Sequence, residues 1–222
     1  MYDWFFPSLQ LYQLLIMQTD ITTEQQNEKE TFRIEAFSDG IFCVGITLLA
    51  IEIGVEVKAN MTNKDLVSSL LKLWPIYLAY LMSFVNVLLA WIGHHGLFKN
   101  LRATDNFVMV CNGLLMMLIA LVPFPTKTLG LFFQTGAFKT AVVFYTGYFV
   151  LISLAYRLLW YAATRKRNLL VPDITNEKIK AISKSENTGL ICNSIIMAVA
   201  FVNPWAALIL SFAMWVYWIG FQ

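Results

Sequence analysis

Charged residues are scarce in this chain, and histidine and cysteine are scarcer still. Asp, Glu, Lys and Arg together make up 14% of the 222 residues, against about 25% in ordinary soluble domains. The net charge is only +2 and the basic residues form no long stripe, which argues against a nucleic-acid partner. All three cysteines lie inside apolar runs, so they are packing residues and a secreted disulfide scaffold is excluded.

Apolar residues are correspondingly abundant, at 58% of the chain, and 15% of the residues are aromatic. A soluble domain of this length does not bury enough surface to hide so many apolar side chains. The excess must face lipid, and the long continuous runs favour helices over the short alternating strands of a barrel. The composition therefore predicts an all-α, multi-pass membrane protein and excludes a disordered chain.

Six stretches have enough apolar residues to cross a hydrocarbon core of roughly 30 Å as helices. Spans one to six are Ile34–Val57, Leu70–Leu97, Asn106–Pro125, Thr140–Tyr161, Ala181–Phe201 and Pro204–Gln222. A tight turn is expected at Asn203 and Pro204, because proline restricts the residue before it. We divide the chain into a transmembrane domain over residues 32–222 and an N-terminal extension over residues 1–31. The extension is interpreted either as an interfacial helix lying on the membrane or as a segment that contributes little.

The distribution of lysine and arginine predicts the orientation of these spans. If the N-terminus is inside, ten basic residues fall on the inner side: Lys29, Arg33, Lys99, Arg102, Arg165, Lys166, Arg167, Lys178, Lys180 and Lys184. Five fall on the outer side: Lys58, Lys64, Lys72, Lys127 and Lys139. The excess on the inner side favours cytoplasmic locations for both termini.

Ionisable groups inside a span are costly, so each is a functional hypothesis. Span one carries Glu35, Ser38 and Asp39 near its predicted cytoplasmic end, and Glu52 and Glu56 at its outer end. Span two carries three hydrogen-bonding side chains at the same predicted depth, namely Trp91, His94 and His95. A buried, unpaired Asp39 would be expensive, and a hydrogen-bonded cluster of aspartate, histidine and tryptophan removes that cost.

Helical geometry separates two faces of span one. At about 100° per residue, one broad stripe is almost wholly apolar, with a single hydroxyl, whereas Glu35 and Asp39 point nearly opposite. The stripe comprises Phe37, Gly40, Val44, Thr47, Leu48, Ile51 and Val55. Such stripes usually serve lipid or helix packing, so spacing alone leaves a pore-lining role as the less common interpretation.

Other chemistries find little support in the sequence. The two histidines are adjacent and point about 100° apart on a helix, so they do not form a two-ligand metal face. No G-x-S-x-G motif is present, and neither is the T-V-G-Y-G filter of most potassium channels. We expect no enzymatic activity and no cofactor. Spacing alone leaves a channel, a transporter and a scaffold open.

Two short motifs carry a resemblance to a known family. The sequence from Arg33 to Asp39 reads R-I-E-A-F-S-D, and a tryptophan followed by paired histidines and a phenylalanine occurs at Trp91, His94, His95 and Phe98. Both motifs resemble those of the bacterial relatives of the endolysosomal potassium channel, the transmembrane-protein-175 family. The resemblance covers roughly Phe32 to the C-terminus.

The resemblance implies a homotetramer of six-span subunits in which the first helix of each subunit lines a central pore. It places the constriction at Val44, Thr47, Leu48 and Ile51, with potassium passing near Thr47. It also implies a structural polar network made of Arg33, Phe37, Ser38, Asp39, Trp91, His94 and His95. In that network the Asp39 carboxylate braces span one against span two and does not line the pore.

We therefore expect a potassium-selective cation channel in a bacterial inner membrane, with lipid, potassium ions and further copies of the chain as its partners. Apolar side chains would form a throat that gates by dewetting. Glu52 and Glu56 at the outer mouth would either concentrate cations or act only as solvated carboxylates. The rival hypotheses are a secondary transporter that relays protons through Asp39 and a histidine, and a non-conducting membrane scaffold.

Overall fold

Helices account for every regular element in the part of the chain that the structure describes, residues 6–55 and 60–220 of a computed structural model. The α-helices are α1 (Phe6–Ile51), α2 (Asn63–Lys72), α3 (Trp74–Phe98), α4 (Asn106–Ala120), α5 (Pro123–Phe132), α6 (Phe138–Thr164), α7 (Asn176–Val202) and α8 (Pro204–Gly220). One 3₁₀ turn (Arg167–Leu169) lies in the loop between α6 and α7. An isolated antiparallel bridge joins Leu170 of this loop to Leu101, which follows the end of α3. The prediction of an all-α protein is confirmed.

Five segments of the described residues are long and apolar enough to cross a membrane. They are Lys29–Ile51, Trp74–Phe98, Asn106–Phe132, Phe138–Thr164 and Asn176–Val202, and they correspond to spans one to five. Helix α8 begins at the turn predicted at Asn203 and Pro204, where Oδ1 of Asn203 accepts a hydrogen bond from the Ala206 N–H at 3.2 Å. Its 17 residues give a length of about 25 Å, which is short for a bilayer core. The sixth crossing therefore stays a prediction.

Helix α1 has no break at the predicted domain boundary. It runs without interruption over 46 residues, about 70 Å at the standard rise. The described part of the N-terminal extension is therefore a direct continuation of span one and not a separate helix. Whether this continuation lies on a membrane surface stays a prediction.

Prolines explain where two of the spans are interrupted. Pro75 lies in the first turn of α3, and Pro123 opens α5. A proline is tolerated there because the first turn leaves its N–H groups without helical partners, whereas in mid-helix the ring clashes with the preceding turn. The third crossing thus consists of α4 and α5 in succession, and it continues to Phe132, beyond its predicted end at Pro125.

Helix α6 occupies the centre of the bundle. It packs against α4, α5, α7 and α8, while α1 lies at the side of the bundle against α3, α4 and α5. Tyr145 and Trp160 of α6 are fully buried. The hydroxyl of Tyr148 donates to the Leu118 carbonyl of α4 at 2.7 Å, and that of Tyr156 donates to the Ala90 carbonyl of α3. These bonds satisfy polar groups that would otherwise be buried unpaired.

Asp105 joins α4 to the end of α6. Its carboxylate caps α4 by accepting from the Val108 N–H at 3.0 Å, and it also accepts from Arg165 at 2.7 Å and from Lys166 at 3.0 Å. The Val108 N–H, the Arg165 guanidinium and the Lys166 ammonium hold the pKa of Asp105 well below its usual range. Arg165 also lies 4.6 Å from the centre of the Phe107 ring. Two residues of the predicted inner-side basic set are thus bound to a helix cap.

Candidate functional site

The predicted pore-lining stripe is the exposed face of α1. Val44 is 55% exposed and Ile51 is 74% exposed, and Thr47 and Leu48 are exposed beside them. On the opposite side of the same helix, Phe42 and Leu49 are completely buried against the bundle. Since α1 lies at the side of the bundle, this face is available to lipid or to another protein surface.

The only hydroxyl of the constriction set is held in one orientation. The hydroxyl of Thr47 donates to the Val44 carbonyl of its own helix at 2.9 Å. With its proton turned back to the backbone, the oxygen presents lone pairs on the exposed face. The side chain therefore offers an acceptor to a cation and no donor to an anion.

Asp39 lies on the other face of α1, as predicted, and it is bound to α3. The indole N–H of Trp91 donates to Oδ1 of Asp39 at 2.8 Å. The Trp91 ring is in turn stacked on the ring of His95, with an interplanar angle of 13°. The predicted hydrogen bond between Asp39 and a histidine is not formed within the described residues. The two histidines have other partners.

A chain of hydrogen bonds joins α1, α4 and α3 in the interior. Ser38 donates to the Ile34 carbonyl at 2.9 Å, so its oxygen must accept from Nδ2 of Asn112, also at 2.9 Å. This directs Oδ1 of Asn112 toward Nε2 of His94, 2.9 Å away. An amide oxygen only accepts, so His94 carries its proton on Nε2.

Sequence reasoning missed Asn112. The available signal was an isolated amide side chain within the apolar run of span three. A polar group buried there needs a hydrogen-bond partner, which another helix would have to supply.

His95 contacts a different acid. Its Nδ1 lies 2.8 Å from Oε1 of Glu35, and both side chains are partly exposed. Neighbouring residues on a helix point about 100° apart, which is why His94 reaches the interior while His95 reaches the edge of α1. The single predicted cluster is thus three sets of hydrogen bonds between the predicted cytoplasmic half of α1 and its neighbours, and stacking of Trp91 on His95 joins two of them.

Two predicted members of the polar network lie apart from it in the subunit. Phe37 is 64% exposed and shares the exposed face with Val44, because seven residues are nearly two full helical turns. Arg33 is also exposed, and among the described residues it has no hydrogen bond or ion pair with Asp39, Trp91 or the histidines. Their part in a bracing network stays a prediction.

The acids predicted at the outer mouth have different outcomes. Glu52 pairs with Lys127 of α5, with an N–O distance of 2.7 Å. This cation compensates much of the charge that was expected to attract potassium. Glu56 lies outside the described residues.

Comparison with known proteins identifies close relatives. The sequence profile of the family described as the endosomal/lysosomal potassium channel TMEM175 matches residues 33–123, which include the constriction set and the polar network. The chain is 37% identical over 194 residues to a potassium channel of Chamaesiphon minutus, covering 87% of this chain and 96% of the relative. It is 33% identical over 175 residues to a potassium channel of Streptomyces collinus, covering 78% and 84% of the two chains.

The fold is also similar to that of a solved channel. The crystal structure of a lysosomal potassium-selective channel TMEM175 homolog from Chamaesiphon minutus matches with a TM-score of 0.77 and 37% sequence identity. The match covers 86% of this chain and 97% of that chain. Sequence and fold therefore agree over most of the chain.

Proposed function

The chain belongs to the TMEM175 family of potassium channels, and we propose that it forms a potassium-selective pore lined by the exposed face of α1. The family is one of multi-pass membrane channels and not of enzymes. The observation that carries the proposal is the exposed stripe of α1, whose apolar residues surround one hydroxyl that accepts but does not donate. Neither a resident cofactor nor a nucleic-acid partner is part of this function.

The pore is proposed to be the centre of a homotetramer. One subunit presents a single α1 face, so a closed channel requires several copies around an axis. Cyclic symmetry then brings identical side chains to the same depth and builds rings from each of Val44, Thr47, Leu48 and Ile51. The apolar face of α1, which is left open at the side of the bundle, supports this arrangement.

Selectivity is proposed to come from dehydration at a narrow throat. Rings of Val44, Leu48 and Ile51 repel water and close the pore by dewetting when they are tight enough. The Thr47 oxygens replace part of the hydration shell of an ion that enters between these rings. Potassium holds its water less strongly than sodium does, so a partly dehydrating throat favours potassium without a carbonyl filter.

The surrounding architecture is proposed to hold this throat in place. The contacts of Asp39 with Trp91, and of Ser38 with Asn112, hold the back face of α1 against α3 and α4. We further propose six crossings, with α8 as the last, in a bacterial inner membrane with both termini in the cytoplasm. The excess of lysine and arginine on the inner side supports this orientation.

The transporter hypothesis loses its proposed relay. It required a proton path between Asp39 and a histidine, but the partner of Asp39 is the indole N–H of Trp91. An indole nitrogen donates only and does not pass a proton on. A scaffold and a channel differ only in whether ions flow.

The decisive experiment is ion flux from liposomes that contain the purified full-length protein. Potassium and sodium gradients are compared with a protonophore present, so that protons crossing through it balance the charge carried by the cation. We expect potassium flux well above sodium flux, and its loss when Leu48 is replaced by tryptophan. Potassium flux that is undiminished when the protonophore is left out would favour a transporter that exchanges potassium for protons directly. If a tetramer gave no flux, the more polar throat of Val44→Asn should wet and open it, and the absence of flux from that variant too would favour a scaffold.

A further inference from the structure

A second candidate site lies inside the subunit, away from the proposed pore. A partly open cavity of about 150 Å³ is enclosed by residues of α3, α6, α7 and α8, and none of its lining residues belongs to α1. Helix α7 contributes Ser185, Glu186, Gly189 and Asn193 to its wall. Of the five candidate spans, α7 has the lowest hydropathy, and nothing in the proposed pore accounts for these polar residues.

Glu186 contributes the carboxyl group of this cavity. Its carboxylate makes no hydrogen bond or ion pair within the part of the chain that the structure describes. The guanidinium of Arg157, on α6, interacts electrostatically with Glu186, but its hydrogen bond is to Oδ1 of Asn187 at 2.7 Å. An ionisable group inside a membrane span is costly, so a cation in direct contact with the carboxylate would stabilise Glu186 further.

Three polar groups near Glu186 offer acceptors to the cavity. Tyr156 uses its hydroxyl proton on the Ala90 carbonyl, and Ser153 uses its own on the Phe149 carbonyl at 3.0 Å. Asn193 directs its Nδ2 to Ser153 at 2.8 Å, which leaves its Oδ1 as an acceptor. A ligand that brings N–H donors and a positive charge therefore matches the polar part of the wall.

Most of the remaining wall is apolar. Leu89, Ile152 and Met214 line it, together with the aromatic rings of Phe149 and Trp218. A bare alkali cation needs a nearly complete shell of oxygen ligands, which these residues do not provide. Aromatic faces beside a carboxylate are instead favourable surroundings for an ammonium group. A cavity of roughly 150 Å³ has room for a ligand of about the size of benzene.

We propose that this cavity binds a small organic ammonium, a protonated amine on a compact apolar body, with the Glu186 carboxylate as its counter-ion. The site is separate from the pore and does not depend on ion conduction. The body of the ligand packs on the apolar walls, and its N–H groups point to Glu186 and to Oδ1 of Asn193.

A glycine in the wall allows the cavity to be filled by substitution while the Glu186 carboxyl group is kept. A Cβ atom built on Gly93 meets no atom within 4 Å, and Gly93 lines the cavity. The variant Gly93→Leu therefore places its side chain in the space of the ligand without a clash at Cβ. Leucine is also a better helix former than glycine, so this variant should fold.

The experiment measures binding of benzylamine to the purified full-length protein at neutral pH by calorimetry. We expect saturable binding that weakens at least about tenfold in Glu186→Gln, which is about 1.4 kcal/mol, and that is abolished in Gly93→Leu. The matched control is Glu177→Gln, which removes an exposed carboxylate from the same helix and should leave the affinity unchanged. Benzyl alcohol, which has a similar body and no charge, should bind much more weakly.

Several results would overturn the proposal. Absence of benzylamine binding to a folded protein, or equal affinity in wild type and Glu186→Gln, would remove the site. Equal affinity for benzyl alcohol would show that the cavity binds apolar ligands without any contribution from the Glu186 carboxylate. Competition by potassium chloride that is absent with choline chloride would identify an inorganic cation site instead. If Glu186→Gln does not fold, Gly93→Leu still decides whether benzylamine occupies this cavity.

Discussion

The indole N–H of Trp91 donates to Oδ1 of Asp39 over 2.8 Å and so ties α3 to the back face of α1. Fifty-two residues separate the two partners in sequence. The bond orients α1 about its own axis, because Asp39 can meet Trp91 only when the stripe from Val44 to Ile51 faces away from the bundle. The aspartate of the first motif and the tryptophan of the second are therefore direct partners.

Replacing Trp91 by phenylalanine should destabilise the subunit. The ring is kept, but a partly buried carboxylate loses its donor, which should cost about 1–2 kcal/mol. The free energy of unfolding is measured by titration with denaturing detergent. Trp74→Phe is the matched control, since Trp74 lies in the same helix and its ring contact with Phe133 can be made by phenylalanine. Equal stability of both variants would show that the bond contributes nothing.

Gly45 is predicted to be intolerant of large side chains. A Cβ atom there would lie 3.3 Å from the backbone oxygen of Ile119, and a backbone atom yields less easily than a side chain. Gly45→Leu should separate α1 from α4 and lower stability by about 1–3 kcal/mol. Gly113→Leu is the control, because its Cβ meets nothing within 4 Å. The same thermal midpoint for both would contradict the close approach.

Removal of the Thr47 hydroxyl should weaken selectivity more than it weakens conduction. Thr47→Ala keeps the helix but removes the oxygen that is proposed to replace water around potassium. We expect a fall in the ratio of potassium to sodium permeability, measured as reversal potentials in planar bilayers. Thr128→Ala removes a similar hydroxyl, bonded to the Phe124 carbonyl of α5, and should leave the ratio unchanged. An unaltered ratio in Thr47→Ala would place selectivity elsewhere.

Lys127 is predicted to reduce the attraction of cations by Glu52. The two charges are 2.7 Å apart, so Lys127→Gln frees the carboxylate and should raise potassium conductance at low ionic strength. The gain should vanish near 1 M salt, where the Debye length is about 3 Å. Lys139→Gln removes an exposed charge from the start of the next helix and serves as the control. A gain that persists in high salt would argue against electrostatic attraction.

The contribution of Asp105 to stability should depend on pH. Its hydrogen bonds hold the pKa of the carboxyl below its usual value, so the folded state is favoured by ionisation. The stabilisation is present above the unfolded pKa, about 3.9, and is lost as the pH falls through the lower folded value. Asp105→Asn should therefore be less stable than wild type at neutral pH, and the difference should shrink below about pH 4.

Thermal unfolding in detergent across pH measures this difference. Asp173→Asn is the control, because Asp173 is exposed in the loop before α7 and has no ion pair within the described residues. A difference between Asp105→Asn and wild type that is constant with pH would rule out the charge as its cause.

The sequence by itself determined the class of the protein and the two faces of its first span. A chain with so few charges and such long apolar runs has to span a membrane, because no soluble core of this size hides that surface. Periodicity then placed Val44 and Ile51 opposite Asp39, since these angles depend only on the geometry of one helix. The motifs at Arg33 and Trp91 identified the family.

Only the tertiary structure decided which polar groups meet. The angle of a side chain about its own helix says nothing of the depth or rotation of the neighbouring helix. Sequence reasoning grouped Asp39 with Trp91 and a histidine. Asp39 does bond to Trp91, whereas His94 reaches Asn112 and His95 reaches Glu35. The pairing of Glu52 with Lys127 and the cavity beside Glu186 depend likewise on how α5 and α7 pack. Contacts between helices follow from packing, and packing depends on the whole chain at once.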